Sequence, residues 1–196
     1  MKNFLLPACL LLIIGFYGCS SSGHQVRVLP RSYWNAQPPK PFVSHVPVRI
    51  TIHHEGEYFN PDSNAAKFIL KTQIWGMGKD RNWADIPYHF MIDGKGNIYE
   101  GRNPYTAGET NTTYDPKGHL LVTCIGNFEE QEMTPVQLEA LTDMLAFCCK
   151  KYHIDPDTIK GHKDFAETLC PGKNLYKYLQ DGFIIATVKE KLQKMN

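Results

Sequence analysis

Two separated stretches of this chain carry side chains of the kind that hold a metal ion. The first is Ile52-His53-His54-Glu55. The second runs through Gly161-His162-Lys163-Asp164 and on to Thr168-Leu169-Cys170-Pro171-Gly172. A histidine at the end of a strand is held rigidly while it faces a cleft. A His and a Cys eight residues apart converge on one ion if the loop between them folds back. Imidazole nitrogens together with a thiolate suit zinc, and three protein ligands leave one tetrahedral position open for water. In such a site the metal keeps the thiol deprotonated and lowers the pKa of a water from about 15.7 to near 7. Each residue also has a plainer role open to it. A strand histidine is often a satisfied polar group, and Cys170 can be buried or disulfide-bonded. Common signatures do not decide between these readings. His54-Glu55-Gly56-Glu57-Tyr58 lacks the second His of the helical zinc-protease pattern, and no Cys-x-x-Cys pair is present.

Elements that would position these residues follow from periodicity and punctuation. Val46 to His53 places Val48, Ile50 and Ile52 on one side of a strand, with Thr51 and His53 on the other. Asp62-Ser63 can cap a helix through Ala65, Phe68, Ile69 and Ile74. Tyr88–Ile92 and Asn97–Glu100 flank Asp93-Gly94-Lys95-Gly96, a hairpin signal because glycine permits a tight reversal. Leu120 to Phe128 is a further apolar strand. Thr134-Pro135 opens a helix whose Leu138, Leu141, Leu145, Cys148 and Tyr152 share one face. Thr158–Lys160 reads as a short strand, and Leu175–Leu179 and Phe183–Leu192 as helices. Helices alternating with strands, one pair antiparallel, give an α/β layer with a mixed central sheet flanked by helices.

The 196 residues suffice for one domain with a full core. Hydrophobic residues make up 42% and charged residues 21%, as in globular proteins. A net charge of +1 argues against nucleic acid as a partner, because gripping phosphates needs a basic excess. The N-terminus has a short positive start, then an apolar run from Phe4 to Tyr17. That run is shorter than the roughly 20 residues that span a bilayer and has the length of a signal-peptide core. Gly18-Cys19 at its end resembles a bacterial lipobox. Residues 1–18 are therefore expected to be a lipoprotein signal peptide. Residues 19–26 would be a lipidated cysteine with a Ser/Gly tether, and 27–196 the folded domain. Cys19 would anchor the protein to a membrane in the cell envelope, on a periplasm-facing outer-membrane surface, as a monomer. Of six cysteines, Cys9 and Cys19 belong to the export signal. Cys124, Cys148, Cys149 and Cys170 lack the spacing of a disulfide scaffold.

Several segments, in order, resemble the zinc amidase family that includes phage amidase-type lysozymes and animal peptidoglycan recognition proteins. They are Arg31-Ser32-Tyr33-Trp34-Asn35-Ala36, Ile50-Thr51-Ile52-His53-His54, and Asp85-Ile86-Pro87-Tyr88-His89-Phe90 with the hairpin to Arg102. Ile125-Gly126-Asn127-Phe128 and the closing Gly161-His162-Lys163-Asp164 with Cys170-Pro171-Gly172 complete the set. The resemblance spans about residues 31–180 and implies that family's fold. It implies His53, His162 and Cys170 as zinc ligands, with His53 favoured over His54 because the family's ligand directly follows the apolar run. It implies that Tyr88 orients or deprotonates a water and that Thr168 hydrogen-bonds a developing oxyanion. The implied reaction is hydrolysis of the amide between N-acetylmuramoyl residues and L-alanine in peptidoglycan. Members that only bind peptidoglycan lack the cysteine ligand, and Cys170 is present here. Two other functions stand beside this one: a non-catalytic peptidoglycan-binding module, and a zinc hydrolase of another peptidoglycan amide. One segment departs from the pattern. Tyr105-Thr106-Ala107-Gly108-Glu109-Thr110-Asn111 contains no histidine, where many members carry one in a substrate loop.

Overall fold

The computed structural model describes residues 26–195, so the expected signal peptide and Cys19 lie outside the described residues. Strands β1 (Val28–Leu29), β2 (Arg49–His54), β3 (Phe90–Ile92), β4 (Ile98–Glu100), β5 (His119–Cys124) and β6 (Lys160–Gly161) form one sheet. Helices α1 (Ala65–Met77), α2 (Pro135–Tyr152), α3 (Lys173–Gln180) and α4 (Phe183–Lys194) flank it. The strand order is β1-β4-β3-β5-β2-β6. Among the strands of the described residues only the β3–β4 pair is antiparallel, and β2 is parallel to both β5 and β6. This is the single mixed-sheet α/β domain that the sequence implies.

The antiparallel pair is the hairpin expected around Asp93. The Asp93 carboxylate accepts from the backbone N–H of Lys95 and Asn97, both at 2.9 Å, and from the Tyr99 hydroxyl at 2.8 Å. One acidic side chain thus satisfies the turn's donors. Trp34 from the opening motif is buried and donates its indole N–H to the Glu100 carbonyl at 2.8 Å, tying the start of the domain to β4.

Both faces of the sheet are covered, which parallel central strands require. On one face Ile50, Ile52, Leu120 and Val122 pack against Leu141, Met144, Leu145 and Cys148 of α2 and Ile184 and Val188 of α4. On the other a smaller cluster gathers Trp34, Ile69, Ile86, Met91 and Tyr99 under α1. Thr134 caps α2 as expected, accepting from the Gln137 N–H at 3.1 Å, with Pro135 as the first helical residue.

Local expectations shift in several places: Thr158, expected to open a short strand, instead closes a 3-10 turn over Pro156–Thr158, and β6 begins at Lys160. The cap of α1 is Asn64, which accepts from the Lys67 N–H at 2.9 Å, and not Asp62 or Ser63. Strand β2 starts at Arg49, leaving Val48 53% exposed, because its neighbour β5 begins only at His119. Strand β5 stops at Cys124, and Ile125 instead donates its N–H to the Ile92 carbonyl at 2.8 Å as the chain turns away. Cys124, Cys148, Cys149 and Cys170 are all buried and free.

Candidate metal centre

The two parallel strands β2 and β6 end side by side, and each delivers a histidine at its C-terminal end. His53 is the fifth residue of β2 and pairs with Thr123 of β5. His162 follows Gly161 of β6, which pairs with Ile52. The loop after His162 folds back, with the Lys163 N–H donating to the Cys170 carbonyl at 2.9 Å. The Asp164 carboxylate braces the same turn by accepting the Gly161 N–H at 2.8 Å. Gly172 closes the loop in the left-handed region, at φ +85°, and a Cβ there would lie 2.3 Å from the Phe128 carbonyl carbon. No other residue fits at that position without moving the loop that carries Cys170.

His53, His162 and Cys170 therefore meet: one ligand atom from each lies within 4.8 Å of the others, and all three residues are buried. The His53 and His162 ring centroids are 4.5 Å apart. The Cys170 Sγ lies 3.6 Å from His53 Nδ1, close to the roughly 3.5 Å edge between nitrogen and sulfur in a tetrahedral zinc site with ordinary bond lengths. For the two imidazoles electrostatics point the same way, whereas burial favours the neutral thiol, whose proton a metal would have to displace. Burial, reinforced by His162 and His54, holds His53 well below its ordinary pKa. Burial also takes His162 down to about 4 and pushes the Cys170 thiol up to about 12. The cluster rejects protons from its imidazoles and presents lone pairs to a shared centre, as a zinc ion with neutral imidazole ligands needs.

His54 is the neighbour that turns elsewhere. Its Nδ1 accepts from the Phe128 N–H at 3.1 Å, and its backbone N–H donates to Cys170 Sγ at 3.3 Å. Its imidazole is committed to holding the loop after β5, while its amide steadies the sulfur.

Tyr88 lies just before β3, with its ring centroid 5.4 Å from that of His53. Its position depends on Gly101, where a Cβ would lie 2.2 Å from the Tyr88 carbonyl oxygen. Burial, with Glu55 and Cys170 adding, raises the phenol well above its ordinary pKa. The Thr123 hydroxyl opposes that shift, although it is fully buried with no partner at full hydrogen-bond distance. Thr168 is half-buried on the cleft wall, and its hydroxyl accepts from the Cys170 N–H at 3.2 Å.

The cleft over this cluster has a volume of about 330 Å³. Glu55, Trp75, Trp83 and Glu109 also line it, and sequence reasoning named none of them as site residues. Burial, with Glu57 adding, raises the Glu55 carboxyl above its ordinary pKa. The segment that departs from the family pattern is anchored by Glu109. Its carboxylate pairs with the buried Arg102 and accepts the Ala84 N–H at 2.9 Å. An acidic residue thus takes a structural role in the segment that contains no histidine. Two further residues, Thr112 and Tyr114, reach the His162 and His53 imidazoles. They lie just past that segment, and only the folded chain reveals them, because hydroxyl groups in a polar loop carry no spacing signal.

The chain is similar to known proteins both in sequence and in fold. Residues 44–173 match the model of the N-acetylmuramoyl-L-alanine amidase family. The chain is 30% identical to peptidoglycan-recognition protein SD of Drosophila simulans over 175 residues, which is 87% of this chain and 92% of that one. Its fold matches peptidoglycan recognition protein-LE, solved in complex with tracheal cytotoxin, a monomeric diaminopimelic acid-type peptidoglycan. The TM-score there is 0.70 at 30% identity, covering 79% of this chain and 92% of that one. It also matches the amidase LysC from Clostridium intestinale, at a TM-score of 0.63 and 27% identity, covering 85% of this chain and 97% of that one. The matched span runs from before β2 to past Cys170, and the chain belongs to the N-acetylmuramoyl-L-alanine amidase family.

Proposed function

We propose that the protein hydrolyses the amide between N-acetylmuramoyl residues and the L-alanine of peptidoglycan stem peptides, with zinc held by His53, His162 and Cys170. The observation that carries this reading is the convergence of the three ligand atoms within 4.8 Å, with Tyr88 against one of them. Bound zinc would supply a Lewis acid for the scissile carbonyl and a source of hydroxide at neutral pH. Tyr88, with its ring against that of His53, would orient or deprotonate the water. The Thr168 hydroxyl accepts from the Cys170 amide, which leaves its own proton for the developing oxyanion. Where measured, one such donor contributes roughly 3 kcal/mol to the transition state.

Digestion of purified sacculi by the zinc-loaded protein, followed by mass spectrometry, tests the proposal. Intact glycan strands with free stem peptides are expected. Glycan fragments, or no products, overturn it, and products cut within the peptide identify a hydrolase of another amide. A binding module is the second reading, favoured by the recognition proteins among the relatives. His53→Ala separates the two: it abolishes cleavage in an enzyme, whereas a binding module holds muropeptide equally well with and without it and never cuts.

The location belongs to the same proposal. Residues 1–18 act as an export signal and lipid on Cys19 holds a monomeric domain in the cell envelope, through the tether at 19–26. The apolar run ending in Gly18-Cys19 supports this. Among the described residues no helix is long and apolar enough to cross a membrane. Labelled palmitate should enter the wild type and not Cys19→Ser.

A further inference from the structure

A neutral imidazole carries one proton, so a histidine that ligates a metal through one nitrogen must place an N–H at the other. The partner of that N–H decides which nitrogen faces the ion. Both candidate ligand histidines have such a partner, and both partners come from one short stretch between β4 and β5. The Thr112 Oγ1 lies 2.8 Å from His162 Nε2. The Tyr114 hydroxyl lies 3.4 Å from His53 Nε2, and the opposite nitrogen of that ring, Nδ1, is the one beside Cys170 Sγ.

The stretch is built to hold these positions. Thr112 Oγ1 is 2.8 Å from Thr110 Oγ1, and its backbone N–H donates to the same Thr110 oxygen at 3.1 Å. The Tyr114 ring packs 5.0 Å from the His162 ring, 5.2 Å from His119 and stacks at 5.9 Å on Phe165. Upstream, Glu109 is tied to Arg102. Downstream, the Gly118 N–H donates to His45 Nδ1 at 2.8 Å.

We propose that Thr112 and Tyr114 are positioning residues that accept the Nε2–H groups of His162 and His53, turning both Nδ1 atoms toward the metal. The inference rests on the zinc reading above and deepens it. In this chain the residues just past the segment without a histidine serve the metal through hydroxyl groups.

The test uses the purified protein with zinc or cobalt(II) alone. Long-range proton–nitrogen spectra of the zinc-loaded wild type should show His53 and His162 protonated at Nε2 and metallated at Nδ1. Metallation at Nε2 of either ring overturns the assignment for that ring. Chelator competition should show Thr112→Val binding zinc roughly 10- to 100-fold more weakly, the range for loss of such a partner. Thr112→Ser should recover most of the loss. Tyr114→Phe keeps the ring and should lose less, given its longer contact. If Thr112→Val lowers thermal stability of the metal-free protein, Thr112→Ala and the serine rescue still separate hydroxyl from packing, because only the hydroxyl returns with serine. Equal or tighter zinc binding by both Thr112→Val and Thr112→Ala overturns the proposal. Failure of the wild type to give a tetrahedral cobalt thiolate spectrum overturns the underlying metal reading instead, so the two failures are distinct.

Discussion

The two faces of the sheet use the same strands for opposite ends. Toward α2 and α4, strands β2 and β5 present Ile50, Ile52, Leu120 and Val122, all fully buried among apolar side chains. On the other face the buried alternate residues of the same strands are Thr51, His53, His119, Leu121 and Thr123, all polar except Leu121. Period-2 alternation normally separates core from solvent. Here it separates core from chemistry. The larger apolar cluster lies on one face, and beside the smaller one the other face carries groups that a core does not tolerate. Thr51 illustrates how the polar face remains affordable: its hydroxyl lies 2.7 Å from His119 Nδ1, so each satisfies the other.

This division can be tested from its most drastic consequence downward. Cys170→Ala should remove tight metal binding and cleavage together while leaving the unfolding transition of the metal-free protein nearly in place, as read by metal analysis and circular dichroism. Coincident loss of fold would break the division. Leu145→Ala does the reverse. It should destabilise the domain by about 2–5 kcal/mol in urea unfolding, and the folded fraction should still bind zinc with unaltered affinity. Tyr88→Phe keeps the ring beside His53 and removes only the hydroxyl. It should lower kcat by roughly 100-fold with little change in KM or stability, and a change confined to KM would reassign Tyr88 to substrate binding.

The smallest effect is one of pH. Burial takes His89 down to about 3 and His119 to about 4. His89 has both nitrogens engaged, Nδ1 accepting the Leu121 N–H at 2.8 Å and Nε2 donating to the Thr106 carbonyl at 2.9 Å. In the unfolded chain these groups titrate near 6.5. Below that pH the unfolded state therefore binds more protons than the folded one. Stability is full above 6.5 and falls as pH drops toward 4, by about 1.4 kcal/mol per pH unit for each such group. It levels off once the folded state protonates too. Urea midpoints of the metal-free protein at pH 7.5 and 5.5 should show the fall. Equal midpoints would mean that the polar face costs nothing to keep neutral.

The sequence makes the apolar face easier to read than the polar one. The stripe of Leu138, Leu141 and Leu145, the cap at Thr134 and the hairpin around Asp93 are local signals, and all three appear in the fold. The family pattern names His53, His162 and Cys170, and the fold brings them together. What sequence leaves hidden depends on long-range closure. Asn64 outcompetes Asp62 and Ser63 as the cap of α1 by a choice of one or two residues that composition does not rank. Thr112, Tyr114 and Glu109 gain their roles only from strands that pair elsewhere in the chain. Glu55 sits next to the ligand strand, yet its carboxyl becomes notable only when the cleft buries it.

The parallel pairing of β2 with β6 also sets a schedule for assembling the centre. His53 and Cys170 stand 117 positions apart, and β6 is the last strand laid into the sheet, at its edge. A chain stopped short of residue 160 could shape the hairpin and most of the sheet yet offer an ion only a single imidazole, which holds it weakly. Chelation by this set would therefore follow closure of the sheet rather than seed it. Such long-range closure is slow, so metal capture would report that the last strand has docked. Following cobalt colour during refolding would time that final step directly.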